Sequence, residues 1–283
     1  MRSIKNKVWA FLKCVVGRKK YEIIRAKYNL GYVPNIKTPQ TFNEKIMFKK
    51  IYGDTDYCID LADKFEVRDF VKNRVGEEYL NEVFFVGNDL KEVDWNNLPQ
   101  RFVIKTTQGG GGEGNVFVHN KEDMNLDDVI SQTHVNLLKR FGSFTNEDWY
   151  LKIDPRVIIE ELMLDETGTI PSDYKFFCFH GKCHYIQVDS DRFGSHARTF
   201  YNTKWEYQDF SLLFPRGEEA KKPSNFDDML NIAERLAQDF DFVRVDLYSL
   251  NNTVRFGELT FSPGSGWEPF EPKSMDAQLG ELW

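Results

Sequence analysis

The sequence predicts an α+β protein, in which short strands joined by hairpins alternate with a few amphipathic helices. Three observations carry that prediction. Short apolar or alternating runs recur at 101–107, 115–119, 156–164, 173–189, 243–250 and 253–261. Turn-forming dipeptides and tripeptides such as Gly87-Asn88, His180-Gly181-Lys182 and Asn251-Asn252 punctuate them. Helical spacing is confined to a few separate segments, so the strict strand–helix alternation of a doubly wound sheet is missing.

From the amino terminus, Ile4, Val8, Phe11, Leu12, Val15 and Val16 recur at helical spacing. After a turn-rich stretch with Pro34 and Pro39, Thr41 and Glu44 read as a capping box that starts a helix over 41–51. Leu61, Phe65, Phe70 and Val71 predict a helix over 61–75, followed by a strand over 79–86. The segment 127–141 reads as helical. Residues 173–189 form a hairpin turning at His180-Gly181-Lys182. A helix over 225–240 places Phe226, Met229, Leu230, Ala233, Leu236, Ala237 and Phe240 on one side. The last two strands turn at Asn251-Asn252.

With 283 residues, the chain suits one composite domain or two closely packed ones. Its 24 Phe and 15% aromatic content argue against disorder. Four scattered cysteines point to free thiols in a reducing, cytoplasmic setting, although Cys178 and Cys183 flank a hairpin turn and a bridge there is conceivable. Residues 1–28 hold nine basic groups against one acid, a net +8, which leaves −15 for the rest of a chain of net charge −7. An acidic body lacks the basic face that broad nucleic-acid binding needs. For the basic amphipathic segment two readings stand. Either residues 1–20 lie on the inner face of a membrane with Trp9 and Phe11 in the headgroup layer, or the helix packs on the body with its lysines in water.

The stretch Phe102–Val116 is FVIKTTQGGGGEGNV: a strand carrying Lys105, then Gly109, Gly110, Gly111, Gly112 and Gly114, then another strand. Glycines let backbone N–H groups approach a polyphosphate, and a lysine at the end of a fixed strand supplies positive charge. No GK[ST] and no following helix accompany them, which excludes a Walker loop and a dinucleotide fingerprint. A strand–loop–strand of this kind describes a flap over a nucleotide; the plain alternative is a surface loop.

Near the carboxyl end, Arg244 and Asp246 lie two apart on one strand and Glu258 and Thr260 two apart on its partner. Paired carboxylates suit magnesium, which takes hard oxygen ligands together with substrate phosphates. A cross-strand salt-bridge network is the competing reading.

Together, ADKFEVRDFV (62–71), the lysine–glycine flap, IIEEL (158–162), SDYKFFCFHGK (172–182) and the RVD…GEL pair resemble the ATP-grasp superfamily, and more closely its TupA-like branch, associated with polysaccharide and teichuronopeptide synthesis. The resemblance covers about residues 30–283. It implies an ATP-grasp fold, with nucleotide held between a glycine-flap subdomain and a C-terminal antiparallel-sheet subdomain. The implied boundaries are 1–30 for the basic helix, 31–98, 99–160 for the flap and 161–283 for the metal-bearing part. It implies a Mg-ATP-dependent carboxylate–amine ligase, with ATP and Mg²⁺ as cofactors and a saccharide or small-molecule carboxylate and an amine as substrates.

By the same resemblance Lys64 and Lys105 touch the α and β phosphates beneath Gly110, Gly111, Gly112 and Gly114. Glu160 accepts from the adenine amino group, Glu161 and Leu162 form the hinge, and Asp173 holds the ribose. Asp246 and Glu258 are the metal carboxylates and Arg244 sits on the transferred phosphoryl group. Thr260 stands where the superfamily often has Asn, which implies a changed second metal site. Lys175, Arg192, His196, Arg198, Ser262, Gly264 and Ser265 are candidates for the acceptor side. Trp205, Trp267 and Phe270 either stack on a sugar or fill the core. A kinase acting on a saccharide hydroxyl and a non-catalytic nucleotide-binding scaffold stay open as alternatives.

Overall fold

A computed structural model of the chain describes residues 2–110, 112, 114–190 and 196–283, with side chains from residue 8 onward. It divides into two compact units that interleave along the sequence. Unit 1 comprises residues 1–55, 143–147 and 172–283, and unit 2 residues 56–142 and 148–171. These units are therefore discontinuous and do not follow one another at residues 30, 98 and 160.

Unit 2 holds α3 (Cys58–Ala62), α4 (Val67–Arg74), α5 (Leu126–Leu137) and strands β1 (Val83–Gly87), β2 (Phe102–Thr106), β3 (Val116–Val118) and β4 (Val157–Glu161). The strands form an antiparallel sheet in the order β1-β4-β2-β3. Phe102, Ile104, Val157 and Ile159 point to one face and pack with Val129 and Leu137 of α5. Because side chains alternate along a strand, Val103, Lys105, Ile158 and Glu160 are left on the other face. The helix predicted over 61–75 is broken. The Asp63 carboxylate accepts from the backbone N–H of Phe65 and of Glu66, a local turn that competes with helix continuation. Residues 77–79 form a 3₁₀ turn, so the strand predicted from 79 begins at Val83, and the helix predicted to 141 ends at Leu137.

Unit 1 holds α1 (Arg2–Leu30), α2 (Phe42–Tyr52), α6 (Phe226–Ala237), α7 (Ser274–Glu281) and strands β5 (Asp173–Phe179), β6 (Lys182–Ser190), β7 (Ala197–Tyr201), β8 (Tyr207–Gln208), β9 (Ser211–Leu212), β10 (Phe242–Leu250), β11 (Thr253–Thr260) and β12 (Phe270–Glu271). Six strands make one antiparallel sheet, β11-β10-β5-β6-β7-β8, and β9 pairs with β12. The predicted turns have the left-handed backbone that tight hairpins need: φ is 46° and 77° at His180 and Gly181, and 48° and 63° at Asn251 and Asn252. The Thr41–Glu44 capping box is present in full.

One face of this sheet is covered by α6, which buries Phe226, Met229, Ile232, Ala233, Leu236 and Ala237, with the Phe226 ring stacked 6.2 Å from Phe176. Burying a side chain of Phe, Met or Leu size stabilises the fold by about 1.5–3 kcal/mol, which is why so polar a helix stays docked. At one end of the opposite face, Phe177, Phe179 and Phe242 pack with Phe42 of α2 and with Met275 and Leu279 of α7. At the other end the same face carries charge.

Candidate active site

Each unit brings part of the predicted constellation together. In unit 2 the Lys105 ammonium pairs with Glu160 at 2.7 Å, on the sheet face away from the apolar core. The register explains it: Val103 lies opposite Glu160 and Lys105 opposite Ile158, so the two charged residues are diagonal neighbours on β2 and β4. Arg68 of α4, half-buried, also feels the Glu160 charge; burial lowers its basicity and Glu160 works against that. Nothing in the sequence pattern singled Arg68 out. Lys64 donates to the carbonyls of Thr106 (3.3 Å) and Gly109, at the base of the glycine run.

The run itself is fastened at both ends by α5. Gln108 Nε2 donates to the carbonyls of Asn136 and Leu137, and Asn136 Nδ2 donates to the Gly114 carbonyl at 2.8 Å. At Gly114 φ is 95° and an added Cβ would lie 2.6 Å from the Asn136 amide, so the position requires glycine. Gly110 lies beside Phe141 and Tyr150, and Gly112 is also left-handed, with φ of 74°. Gly111 lies outside the described residues. At the end of β4 the Glu161 N–H donates to the Glu82 carbonyl at 2.9 Å, and Leu162 just beyond is buried. Glu160 Oε2 accepts from Lys105, which leaves its other lone pairs as acceptors.

In unit 1 the charged end of the sheet is a buried network. Asp246 lies opposite both Glu258 on β11 and Lys175 on β5, and Arg244 opposite Thr260. The Arg244 guanidinium grips Asp246 with two bonds, 2.7 Å from Nε and 2.6 Å from Nη2, and also donates to the Thr260 hydroxyl at 3.0 Å. Glu258 is 3.5 Å from Arg244, and its side chain is 41% exposed, the most open carboxylate of the group. Burial pushes the Asp246 carboxyl up while Arg244 and Lys175 pull against it. For Arg244 burial works to lower the basicity, but Asp246 outweighs it and holds the guanidinium above its ordinary value.

Lys175, expected on the acceptor side, lies among three carboxylates. Its ammonium lies 2.7 Å from Asp173, 2.9 Å from Asp246 and 3.9 Å from Asp189. Burial opposes its charge, and Asp246 and Asp173 more than restore it, so its basicity is raised. Asp173, expected at the ribose, is buried in this same cluster. Arg198 donates to Asp189 (3.2 Å) and Glu268 (2.6 Å), and His196 lies 3.5 Å from Asp189. Burial acts to raise Asp189, and Lys175 and Arg198 outweigh it to hold the carboxyl below the usual range. Arg192 lies outside the described residues.

The loop Ser262–Gly266 has three consecutive left-handed residues, Gly264 (φ 57°), Ser265 (57°) and Gly266 (70°). Its hydroxyls face inward to one acid: Ser262 and Ser265 (3.1 Å) both donate to Glu147. Lys50 anchors it from behind, donating to the Ser265 carbonyl at 2.7 Å while paired with the fully buried Glu22. The aromatic residues considered for sugar stacking pack internally. Trp205 stacks on Tyr201 at 4.3 Å, Trp267 lies beside Tyr21 and Lys50, and Phe270 belongs to the phenylalanine core. Glu147, Glu22 and Glu268 could not be found from local patterns, because each meets its partner across a long sequence separation. All four cysteines are free thiols.

Magnesium is the ion that the sequence pattern suggests, and the donor set here suits it in kind: two carboxylates and a hydroxyl, all hard oxygen, at Asp246, Glu258 and Thr260. Glu258 is the donor most open to a cation, whereas Asp246 has one lone pair left on Oδ1 beside its bonds from Arg244 and Lys175.

Among solved structures, the chain is similar to the D-alanine–D-alanine ligase of Bacillus anthracis, with 14% identity over 71% of this chain and 57% of that one and a TM-score of 0.44. It is also similar to an L-amino acid ligase from Bacillus licheniformis (13% identity, 73% of this chain, 44% of that one, TM-score 0.46). An ADP complex of N5-carboxyaminoimidazole ribonucleotide synthetase gives 12% identity, 73% of this chain, 46% of that one and a TM-score of 0.45. The chain thus spans about half the length of these proteins. No curated protein matches it. Residues 44–283 match the model of the TupA-like ATPgrasp family, and over that length, which includes every residue of both charged clusters, the chain belongs to that family.

Proposed function

We propose that this chain is an ATP-dependent ligase that joins a carboxylate to an amine through an acyl-phosphate. A uronic acid or an amino acid is the carboxylate, and surface polysaccharide synthesis on the cytoplasmic side is the setting. Family membership supports the ATP-grasp part of this reading. The observation that carries the chemistry is the register of β10 and β11, which faces Asp246 with Glu258 while Arg244 grips Asp246 from the next position.

In this reading Lys64, Lys105 and the glycine run hold the polyphosphate, and Glu160, Glu161 and Leu162 hold the base. Asp246, Glu258 and Thr260 are the groups that would hold magnesium, which supplies charge neutralisation on the phosphate oxygens. A donor carboxylate oxygen attacks the γ-phosphorus, and the bond to the bridging oxygen breaks with its electrons leaving on ADP. The amine nitrogen then attacks the acyl carbon; the C–O bond breaks, phosphate departs with that electron pair, and the nitrogen loses its proton. Arg244 is fixed in place before reaction, so its charge stabilises the phosphoryl group with little reorganisation. Arg198 and the loop 262–266 are the acceptor-side groups of the proposal.

Hydroxylamine trapping tests it. With ATP, magnesium and a panel of uronic acids and amino acids, a ligase yields a hydroxamate together with ADP. A phosphorylated saccharide with no hydroxamate would replace the ligase by a kinase. ATP binding with no ADP release on any substrate would leave a scaffold.

A further inference from the structure

Helix α1 runs from Arg2 to Leu30, but Gly17 breaks it with φ 77° and ψ 164°. The contacts across the break show the two halves folded back on each other. Trp9 lies 5.4 Å from the Tyr28 ring, with the Arg25 guanidinium 4.4 Å over its face, and the Lys13 ammonium lies 5.7 Å from Tyr21. Residues 9 and 28 of an unbroken helix would be about 28 Å apart. The second half is anchored: Tyr21 and Glu22 are fully buried, Glu22 pairs with Lys50 at 2.7 Å, and Trp267 Nε1 donates to Glu22.

The outer half is apolar on two sides. One side, Trp9 and Val16, packs on the cluster around Tyr21 and Met47. The Trp9 ring is thus part of the protein's own packing. The other side carries Val8, Phe11 and Val15, at spacings of three and four, which are 59%, 72% and 66% exposed. A helix that only packs on its own protein has no use for a second apolar stripe. Around it the chain is strongly basic: Arg2, Lys5 and Lys7 share the outer half, and Lys19 and Lys20 are exposed just past the turn.

We propose that the Val8–Phe11–Val15 face of this helical hairpin docks on an anionic lipid bilayer, and that residues 18–30 tie that contact to the body. The occupant is assigned by charge: the segment is net +8 on a chain of net −7, so a second copy would bring like charge against like, whereas an anionic surface attracts it. Apolar side chains enter the acyl boundary and lysine heads stay at the phosphates. Each basic side chain near such a surface multiplies partitioning about fivefold. This surface is independent of the reaction proposed above.

Flotation of the full chain with phosphatidylglycerol-containing vesicles tests the proposal. The parent is expected to float with them, to be released as salt rises from about 0.05 to 0.5 M, and not to float with pure phosphatidylcholine. Phe11→Asp/Val15→Asp, at exposed positions, should weaken binding at least tenfold with an unchanged thermal midpoint. Val135→Asp, at a site 57% exposed in unit 2, should bind like the parent. Equal binding by the parent and the double variant, or no binding by the parent, overturns the proposal. So does self-association of the parent without lipid that the double variant lacks, because the face then belongs to a second copy.

Discussion

Removing the Lys175 charge should destabilise unit 1 more than any other single loss in the charged network. Its ammonium serves Asp173, Asp246 and Asp189, whose side chains are 4%, 2% and 3% exposed while its own is 6% exposed. Lys175→Met keeps the stem and strips the shared cation from three buried acids. Arg244 still holds Asp246 and Arg198 still holds Asp189, so the pair lost outright is the one 2.7 Å long with Asp173. Breaking one buried ion pair costs about 3–5 kcal/mol. For a chain of this length that corresponds to a fall of roughly 10 °C in thermal midpoint. Circular dichroism melts at neutral pH measure it, and a shift under about 2 °C would contradict the reasoning. The pH dependence separates charge from packing. Lys175 is held above its ordinary value, so its stabilisation is complete below the ordinary lysine range and is lost only as pH rises through the higher folded value. In the variant the buried carboxyls, lacking the cation, rise instead. The gap between parent and variant should therefore narrow as pH falls below neutral and they take up protons. A gap unchanged down to about pH 4 would mean that lost packing, and not lost charge, set the cost.

Other substitutions divide the network by role. Arg244→Lys loses the two-pronged grip on Asp246, and should lower ATP-dependent hydroxamate formation at least about 100-fold; a fall of less than about tenfold would remove Arg244 from the phosphoryl step. Glu258→Gln changes a partly exposed carboxylate, so stability should hold within about 0.5 kcal/mol while the magnesium needed for half-maximal rate rises about tenfold. Destabilisation without a magnesium effect would make Glu258 structural. Gly257→Ala would place a Cβ 2.9 Å from the Asp246 carbonyl, and should cost about 1–3 kcal/mol in urea unfolding and lower the rate as well; full activity would show that the local backbone yields without moving Glu258.

What could be read ahead of the structure was local. The capping box at Thr41, both tight hairpin turns and the buried stripe of α6 follow from residues within a few positions of one another. The strand that carries Lys105 was legible too, because an apolar run ahead of five glycines is a local pattern. The break at Asp63–Glu66 was not, because the apolar spacing of Leu61, Phe65 and Val71 continues through it while a single carboxylate captures the backbone. The partners of Lys175 are hidden in the sequence for a related reason. Sequence showed one lysine two residues from one aspartate, but the other two carboxylates come from β6 and β10 and meet it only when the sheet forms. Glu147 and Asn136 escaped notice altogether; each acts on a loop more than twenty residues away.

The pairing of Asp246 with Glu258 depends on more than the turn that first suggested it. Counting outward from Asn251-Asn252, Leu250 faces Thr253 and Leu247 faces Phe256. An unbroken ladder would then set Asp246 against Gly257, with Glu258 on the opposite face of the sheet, since one residue of slip reverses every side chain. The observed register shifts between Asp246 and Leu247, and from there Asp246 faces Glu258 and Arg244 faces Thr260. Gly257 is the extra residue that absorbs the shift, and its lack of a Cβ lets the bulged strand pass close to the Asp246 carbonyl. The bulge thus turns two carboxylates that regular pairing would separate into neighbours on one face. It does so at the point where Arg244 and Lys175 already hold one of them, which leaves Glu258, 3.5 Å from Arg244, as the more open carboxylate of the two.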